Sequence, residues 1–325
     1  MKSISTILCA LCLAIFSSGC QLAPETEREN FAPPAVTEAA EAQCSLAVSA
    51  MRDAMQNPEA DRETLFALAR EIMSGLCAEY PNNAKYLARA AQADFYAAEH
   101  GPSAEQSAAI RAEGKERLCQ ALAADPGLPE CALARALYPE PGESFEELCR
   151  LAIGRHPDFA ELYLASYFGS PASGDKKAME ELSNLIRLEP SNPANYRTRF
   201  SAHFQAGRYA EALADILKAA ELGYPEGLAA METAQTRIAL GDWEALDALL
   251  KRAEEMREAG EPCNIKPAAL HAMRARAKFE LGDAKGALAE AAAAKSVSGE
   301  TAEIAELIAK IRAGDAAGAR RGGRP

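Results

Sequence analysis

Valine is nearly missing from this 325-residue chain. It occurs at Val36, Val48 and Val297 only, and aromatic residues make up 6% of the whole. Buried parallel strands need Val and Ile, and half-buried strands need β-branched and aromatic side chains. A β-sandwich, a barrel and a doubly wound sheet are therefore excluded. Positive charge is also short: 35 Lys and Arg stand against 47 Asp and Glu, a formal net charge of −12. Nucleic-acid binders need clustered cations, so that class of partner is set aside. Present in excess is alanine, 72 residues, the strongest helix former. Hydrophobic and charged shares of 49% and 25% are those of a folded chain. The composition predicts an all-α protein.

The chain opens with Lys2 and an uncharged, largely apolar run from Ile4 to Phe16. Thirteen residues are too few to span a bilayer and suit a signal-peptide core. The run ends in Ser17-Ser18-Gly19-Cys20. This resembles the signal of bacterial lipoproteins, in which a small residue precedes the cysteine that is lipidated and becomes the mature N-terminus. The resemblance implies cleavage of residues 1–19, lipidation at Cys20 and, with Gln21 following, an outer-membrane anchor facing the periplasm. Cys9 and Cys12 fall inside the cleaved core and are assigned no chemistry. Residues 20–38 then read as a flexible tether, polar and carrying Pro24, Pro33 and Pro34.

A short turn recurs down the rest of the chain: Gly174-Asp175, Gly207-Arg208, Gly241-Asp242, Gly282-Asp283 and Gly314-Asp315. Breaks at Tyr80-Pro81-Asn82-Asn83, Asp125-Pro126-Gly127, His156-Pro157-Asp158 and Glu189-Pro190-Ser191-Asn192 separate earlier helical pairs. The clearest copy runs from Pro193 to about Glu226. Tyr196 takes an aromatic position on its first helix, Gly207 and Tyr209 the turn, and Ala212 and Ala219 the small positions of its second. Ala275, Gly282, Ala287 and Ala294 recur in the copy that begins at Ala268. Small residues allow two helices to approach closely. This pattern resembles the tetratricopeptide (TPR) and Sel1-like repeats. The resemblance implies a right-handed superhelical solenoid of about seven antiparallel hairpins over residues 39–313, closed by a capping helix from Thr301 to Ala313. Residues 314–325 are expected to be a disordered basic tail.

Six cysteines remain beyond Cys20, an even number that suits an oxidising compartment. Cys44 and Cys77 lie on the two helices of the first hairpin. Cys119 and Cys131 flank the Pro126 turn. These two pairs are the possible disulfides, while Cys149 and Cys263 are expected to be buried thiols. Alternatively all six are small apolar core residues.

Phosphate-binding, dinucleotide, zinc-protease and nucleophile-elbow motifs are absent, and the four histidines are scattered. No catalytic residue, metal, cofactor or small-molecule substrate is expected. The resemblance implies a concave groove lined by first helices, and the repeat phase assigns to it Tyr163, Tyr167, Arg197, Ser201, Gln205, Met231, Gln235, Arg276 and Glu280. Chaperone-binding members of the family use a Lys/Asn carboxylate clamp; Arg197 and Arg276 could hold a carboxylate, but the Asn partners are missing, so a receptor for C-terminal peptides is not supported. Aromatic, Met, Arg and Gln side chains on one surface suit a protein or peptide partner. The expected function is a lipid-anchored periplasmic scaffold for a cell-envelope machine. The alternative is a non-catalytic accessory that binds peptidoglycan or glycan strands.

Overall fold

A computed structural model describes residues 35–57, 59–101, 103–169, 176–260, 265–299 and 301–322. The signal segment, Cys20, most of the tether, the Gly174-Asp175 turn and Cys263 lie outside the described residues. Within them the chain forms helices and turns and no strand. The chain divides into two compact units, residues 1–162 and 163–325.

In the first unit the helices are α1 (Glu38–Gln56), α2 (Arg62–Glu79), α3 (Ala84–Glu99), α4 (Ala104–Ala124), α5 (Pro129–Ala136) and α6 (Phe145–Arg155). The division between units falls in α7 (Ala160–Gly169). The second unit continues with α8 (Lys176–Leu188), α9 (Pro193–Gln205), α10 (Tyr209–Glu221), α11 (Glu226–Leu240) and α12 (Trp243–Glu258). It ends with α13 (Pro267–Glu280), α14 (Ala284–Ser298) and α15 (Ala302–Gly322). Consecutive helices pack in pairs, α1 with α2, α3 with α4, α5 with α6, α9 with α10, α11 with α12 and α13 with α14, and α15 packs on α14; Ser166 of α7 meets Glu181 of α8. The all-α hairpin array is thus the one expected.

Helix starts follow the chain's polar punctuation. Asn83 accepts from the Tyr86 amide at 3.1 Å, and Asp283 accepts from Gly286 at 2.8 Å. Each cap satisfies an amide that has no partner within its own helix. Pro129, Pro193 and Pro267 take first-turn positions, where their missing N–H costs nothing. α5 is short because Pro139 and Pro141 follow it, and neither can continue a helix. Gly241 and Gly282 close first helices with φ of +71° and +88°. The amide of Asp242 returns to the Arg237 carbonyl at 3.0 Å, and that of Asp283 to Lys278 at 2.8 Å. Both are helix stops that favour glycine.

Gly314 departs from the expected turn. It lies within α15, which runs on past Ala313 to Gly322. A Cβ at Gly314 would sit 2.6 Å from Cζ of Phe279, so the glycine admits that ring. Gly114 does the same in α4, where a Cβ would lie 2.8 Å from Cε1 of Phe95 and 2.9 Å from Cβ of Asp94. Because both neighbours are buried on α3, neither can retreat cheaply. Gly114→Ala is expected to cost about 1–3 kcal/mol, the usual range for overpacking, despite alanine's better helix propensity. A shift in the denaturation midpoint checks this.

Candidate partner-binding surface

All nine residues assigned to the groove fall in the second unit, buried, half-buried or exposed, and Glu280 is exposed and paired with Lys310 at 3.3 Å. Tyr163 and Tyr167 on α7 are buried, at 6% and 7% exposure, and so offer no surface to a partner. Burial pushes the Tyr167 phenol upward in pKa, while the nearby Arg197 charge pulls the other way. Ser201 and Met231 are half-buried, and Met231 packs on the cluster that contains Leu246 and Leu250. Gln205, Gln235 and Arg276 are exposed on the successive first helices α9, α11 and α13.

Arg197 is not available to a ligand carboxylate. Its Nε and Nη2 donate to Oε1 of Glu232 at 3.1 and 2.9 Å, and the two side chains are only 13% and 16% exposed. This ion pair runs from α9 to α11. It fixes the side on which these first helices meet, and Ser201 and Gln205 continue the Arg197 stripe at four-residue steps. The charge of Arg197 is thus used between repeats.

In the first unit α3 presents no comparable surface. α3 is buried on nearly every side, including Tyr86, Leu87, Arg89, Gln92, Asp94 and Phe95. Arg89 donates to Glu161 at 3.0 Å and to Oε1 of Gln92 at 3.1 Å, and it lies over the Phe159 ring. Gln92 in turn donates to the Glu130 carbonyl at 2.8 Å. Glu41 on α1 receives Lys85 at 2.6 Å and the Tyr86 hydroxyl at 3.1 Å. The Lys85 hydrogen bond holds the Glu41 carboxyl below its ordinary pKa.

Polar groups also sit inside the hairpins. Three of the four second helices of the second unit share one register: Ala178, Glu181, Leu182 and Leu185 on α8; Ala212, Asp215, Ile216 and Ala219 on α10; Ala287, Glu290, Ala291 and Ala294 on α14. All of these are buried, and each carboxylate meets the preceding first helix. Glu181 receives the Ser166 hydroxyl at 2.5 Å. Asp215 receives Arg199 on both oxygens, at 2.7 and 2.8 Å. Glu290 receives Lys278 at 2.7 Å and lies 2.9 Å from Nδ1 of His271. In the first unit α4 carries the same register with the charge reversed: Gly114, Arg117, Leu118 and Ala121, with Arg117 on Asp94 of α3. An acidic residue three places after each small residue was the sequence signal for these staples.

His203 and His271 are thereby accounted for as packing residues tied to Asp215 and Glu290. Burial lowers the His203 pKa, and its Nδ1 accepts from Arg208 Nε at 2.9 Å. Burial raises the Glu290 carboxyl, but Lys278, His271 and Arg274 together pull it below the ordinary 4.5. A carboxylate lowered in the folded state contributes stability above its unfolded pKa and loses it as pH falls through the folded value. The second unit should therefore weaken as pH drops below about 4.5, and Glu290→Gln should flatten that dependence in acid-denaturation curves.

The structure holds Cys44, Cys77 and Cys131 as thiols, so neither expected disulfide is formed. Cys44 and Cys77 fill apolar positions of one cluster between α1 and α2. Cys131 donates to the Asp125 carbonyl at 3.3 Å. Burial raises all three thiols in pKa, Cys77 to about 11 and Cys131 to about 12. Cys149 is fully buried. Among the described residues no group of His, Cys, Asp and Glu is placed to hold a metal ion, and no helix is long and apolar enough to cross a membrane.

No family model matches the chain, and no curated protein matches it. Solved structures do. One is PilW, titled a widely conserved type IV pilus biogenesis factor, at 14% identity and TM-score 0.39, covering 84% of this chain and 100% of that one. Another is pilF of Pseudomonas aeruginosa, at 14% identity and TM-score 0.40, covering 84% of this chain and 98% of that one. A third is a tetratricopeptide repeat protein from Parabacteroides merdae, at 14% identity and TM-score 0.33, covering 85% of this chain and 100% of that one.

Proposed function

We propose that this protein is a lipid-anchored scaffold on the periplasmic side of the outer membrane, and that it recruits protein components of a cell-envelope machine through its second unit. The observation that carries the reading is the run of exposed Gln205, Gln235 and Arg276 on three successive first helices. Amide and guanidinium groups presented in sequence suit the backbone and side chains of an extended peptide. The lipoprotein-like Ser17-Ser18-Gly19-Cys20 supports the address. The glycan-binding alternative needs exposed aromatic faces at the groove positions, and burial of Tyr163 and Tyr167 removes the two assigned there.

Photocrosslinkers placed at 205, 235 and 276 in cells test the scaffold role. Reproducible adducts to the same envelope protein are expected there and not at the exposed control positions 211 and 221. Equal yields at both sets would contradict it. For the anchor, Cys20→Ala is expected to release the protein from membranes, and retention would contradict lipidation.

A further inference from the structure

Between α2 and α4, over the end of α3, the first unit holds a cleft of about 340 Å³. That volume falls within the range of small-ligand sites. α2 turns one face toward it, with Glu63, Ala67, Arg70 and Glu71 at helical spacing above Phe66. Ala97 and His100 of α3 and Ile110 of α4 complete the walls. Phe66 is only 2% exposed and already stacks with Tyr96 and His100, at 5.3 and 5.2 Å between ring centroids. It therefore leaves no ring face for an aromatic ligand. What the cleft offers is the aliphatic surface of Ala67, Ala97 and Ile110.

Charge in the cleft is negative. Glu63 and Glu71 are exposed, and among the described residues neither carboxylate has a cation partner. Arg70 also lines the cleft, but Asp94 at 2.9 Å and Glu113 already hold its guanidinium. Behind it Arg117 pairs with Asp94 as well. Four carboxylates against two guanidinium groups leave two negative charges, both at the mouth. Of the other cations on these three helices, Lys85, Arg89 and Lys115 pair with Glu41, Glu161 and Glu140. Arg62 and Arg111 do not line the cleft.

Glu63 and Glu71 stand eight residues apart on one helix, roughly 12 Å along its axis. They are too far apart to share one metal ion. A ligand that meets both needs a cation at each end and an apolar stem between. We propose that this cleft binds an extended alkyl polyamine, with one ammonium at Glu63, another at Glu71 and the methylene chain along Ala67, Ala97 and Ile110. An anion would meet the two free carboxylates, and a planar ring would find no face to stack on. The site lies in the first unit and is independent of the protein-binding surface proposed for the second.

Calorimetric titration of the full-length protein at about pH 7.5, where imidazole is as a rule uncharged, tests this. Spermidine and octamethylenediamine are expected to bind saturably at one site. Trimethylenediamine, too short to span the carboxylates, and octylamine, with one cationic end, should each bind about tenfold more weakly. The double variant Glu63→Gln/Glu71→Gln should weaken spermidine binding by about the same factor. Glu211→Gln/Glu221→Gln removes as much charge from the second unit and should leave binding unchanged. Ala67→Phe, which fills the cleft and keeps both carboxylates, should weaken it with the helix signal intact. No saturable heat up to millimolar amine, or equal losses in the two double variants, would overturn the proposal. So would tighter binding of the capped peptide Lys-Ala-Ala-Lys than of spermidine. Crosslinking at 205, 235 and 276 tests the scaffold reading separately, so either can fail without the other.

Discussion

Asp94→Ala is expected to destabilise the first unit by about 3 kcal/mol. The carboxylate is fully buried, with Arg70 Nε at 2.9 Å and Arg117 Nη1 at 2.5 Å. Arg70 comes from α2 and Arg117 from α4, so one side chain of α3 ties two second helices together. Glu113 also reaches Arg70, and Ser74 accepts from Arg117. Removing the carboxylate leaves two guanidinium groups facing each other across a space that water fills poorly. Breaking a buried pair by deleting one partner costs about 3–5 kcal/mol. The lower figure applies because the arginines are 31% and 20% exposed and can swing toward solvent. Hydrogen exchange in the full-length variant should show amides of α2, α3 and α4 opening more easily. A loss below about 1 kcal/mol would mean that the bridge is incidental.

Leu250→Ala should cost the second unit about 4 kcal/mol. Leu250 is fully buried in a cluster whose other members include Ala230, Ala234, Ala253 and Ala277. Alanine has no side chain to rotate into a void. Leu246, Ile265 and Leu270 share the cluster, and the alanines between them leave the helices little to move into the space that Leu250 vacates. The cost therefore falls toward the upper part of the range for Leu→Ala. Thermal or urea denaturation followed by helix signal measures it. A loss near 1 kcal/mol would show that neighbouring helices close over the gap.

The same alanine richness explains what could be read from the sequence. Helix class, hairpin boundaries and the mid-hairpin turns at Gly241 and Gly282 were legible, because each depends on residues close in the chain. Pro-Asn and Pro-Gly breaks marked the ends of the pairs. Gly314 was misread because a glycine that makes room for the distant Phe279 ring looks the same in sequence as one that stops a helix. Exposure at the assigned first-helix positions was only partly legible. Repeat phase placed Gln205, Gln235 and Arg276 on exposed positions, but it could not show that Glu232 would take up Arg197. Nor could it show that Tyr163 and Tyr167 would be covered. The cysteine pairs were placed on the right helices, yet at Cys44 and Cys131 they serve as small buried side chains. Asp215 and Glu290 look like surface acids in the sequence, yet their three-residue offset from Ala212 and Ala287 turns them toward a first helix.

The central claim is a contrast between particular helices: α3 in the first unit is sealed by internal polar contacts, while α9, α11 and α13 in the second present Gln205, Gln235 and Arg276 to solvent. Hydroxyl-radical footprinting of the full-length protein, resolved by mass spectrometry to single residues, tests it most directly. The account predicts that Tyr86, Leu87 and Phe95 on α3 stay unmodified while Gln205, Gln235 and Arg276, and with them the exposed Leu240 and Leu281, are oxidised. Comparable oxidation of the α3 residues, or protection of the α9, α11 and α13 positions in the isolated protein, would contradict it.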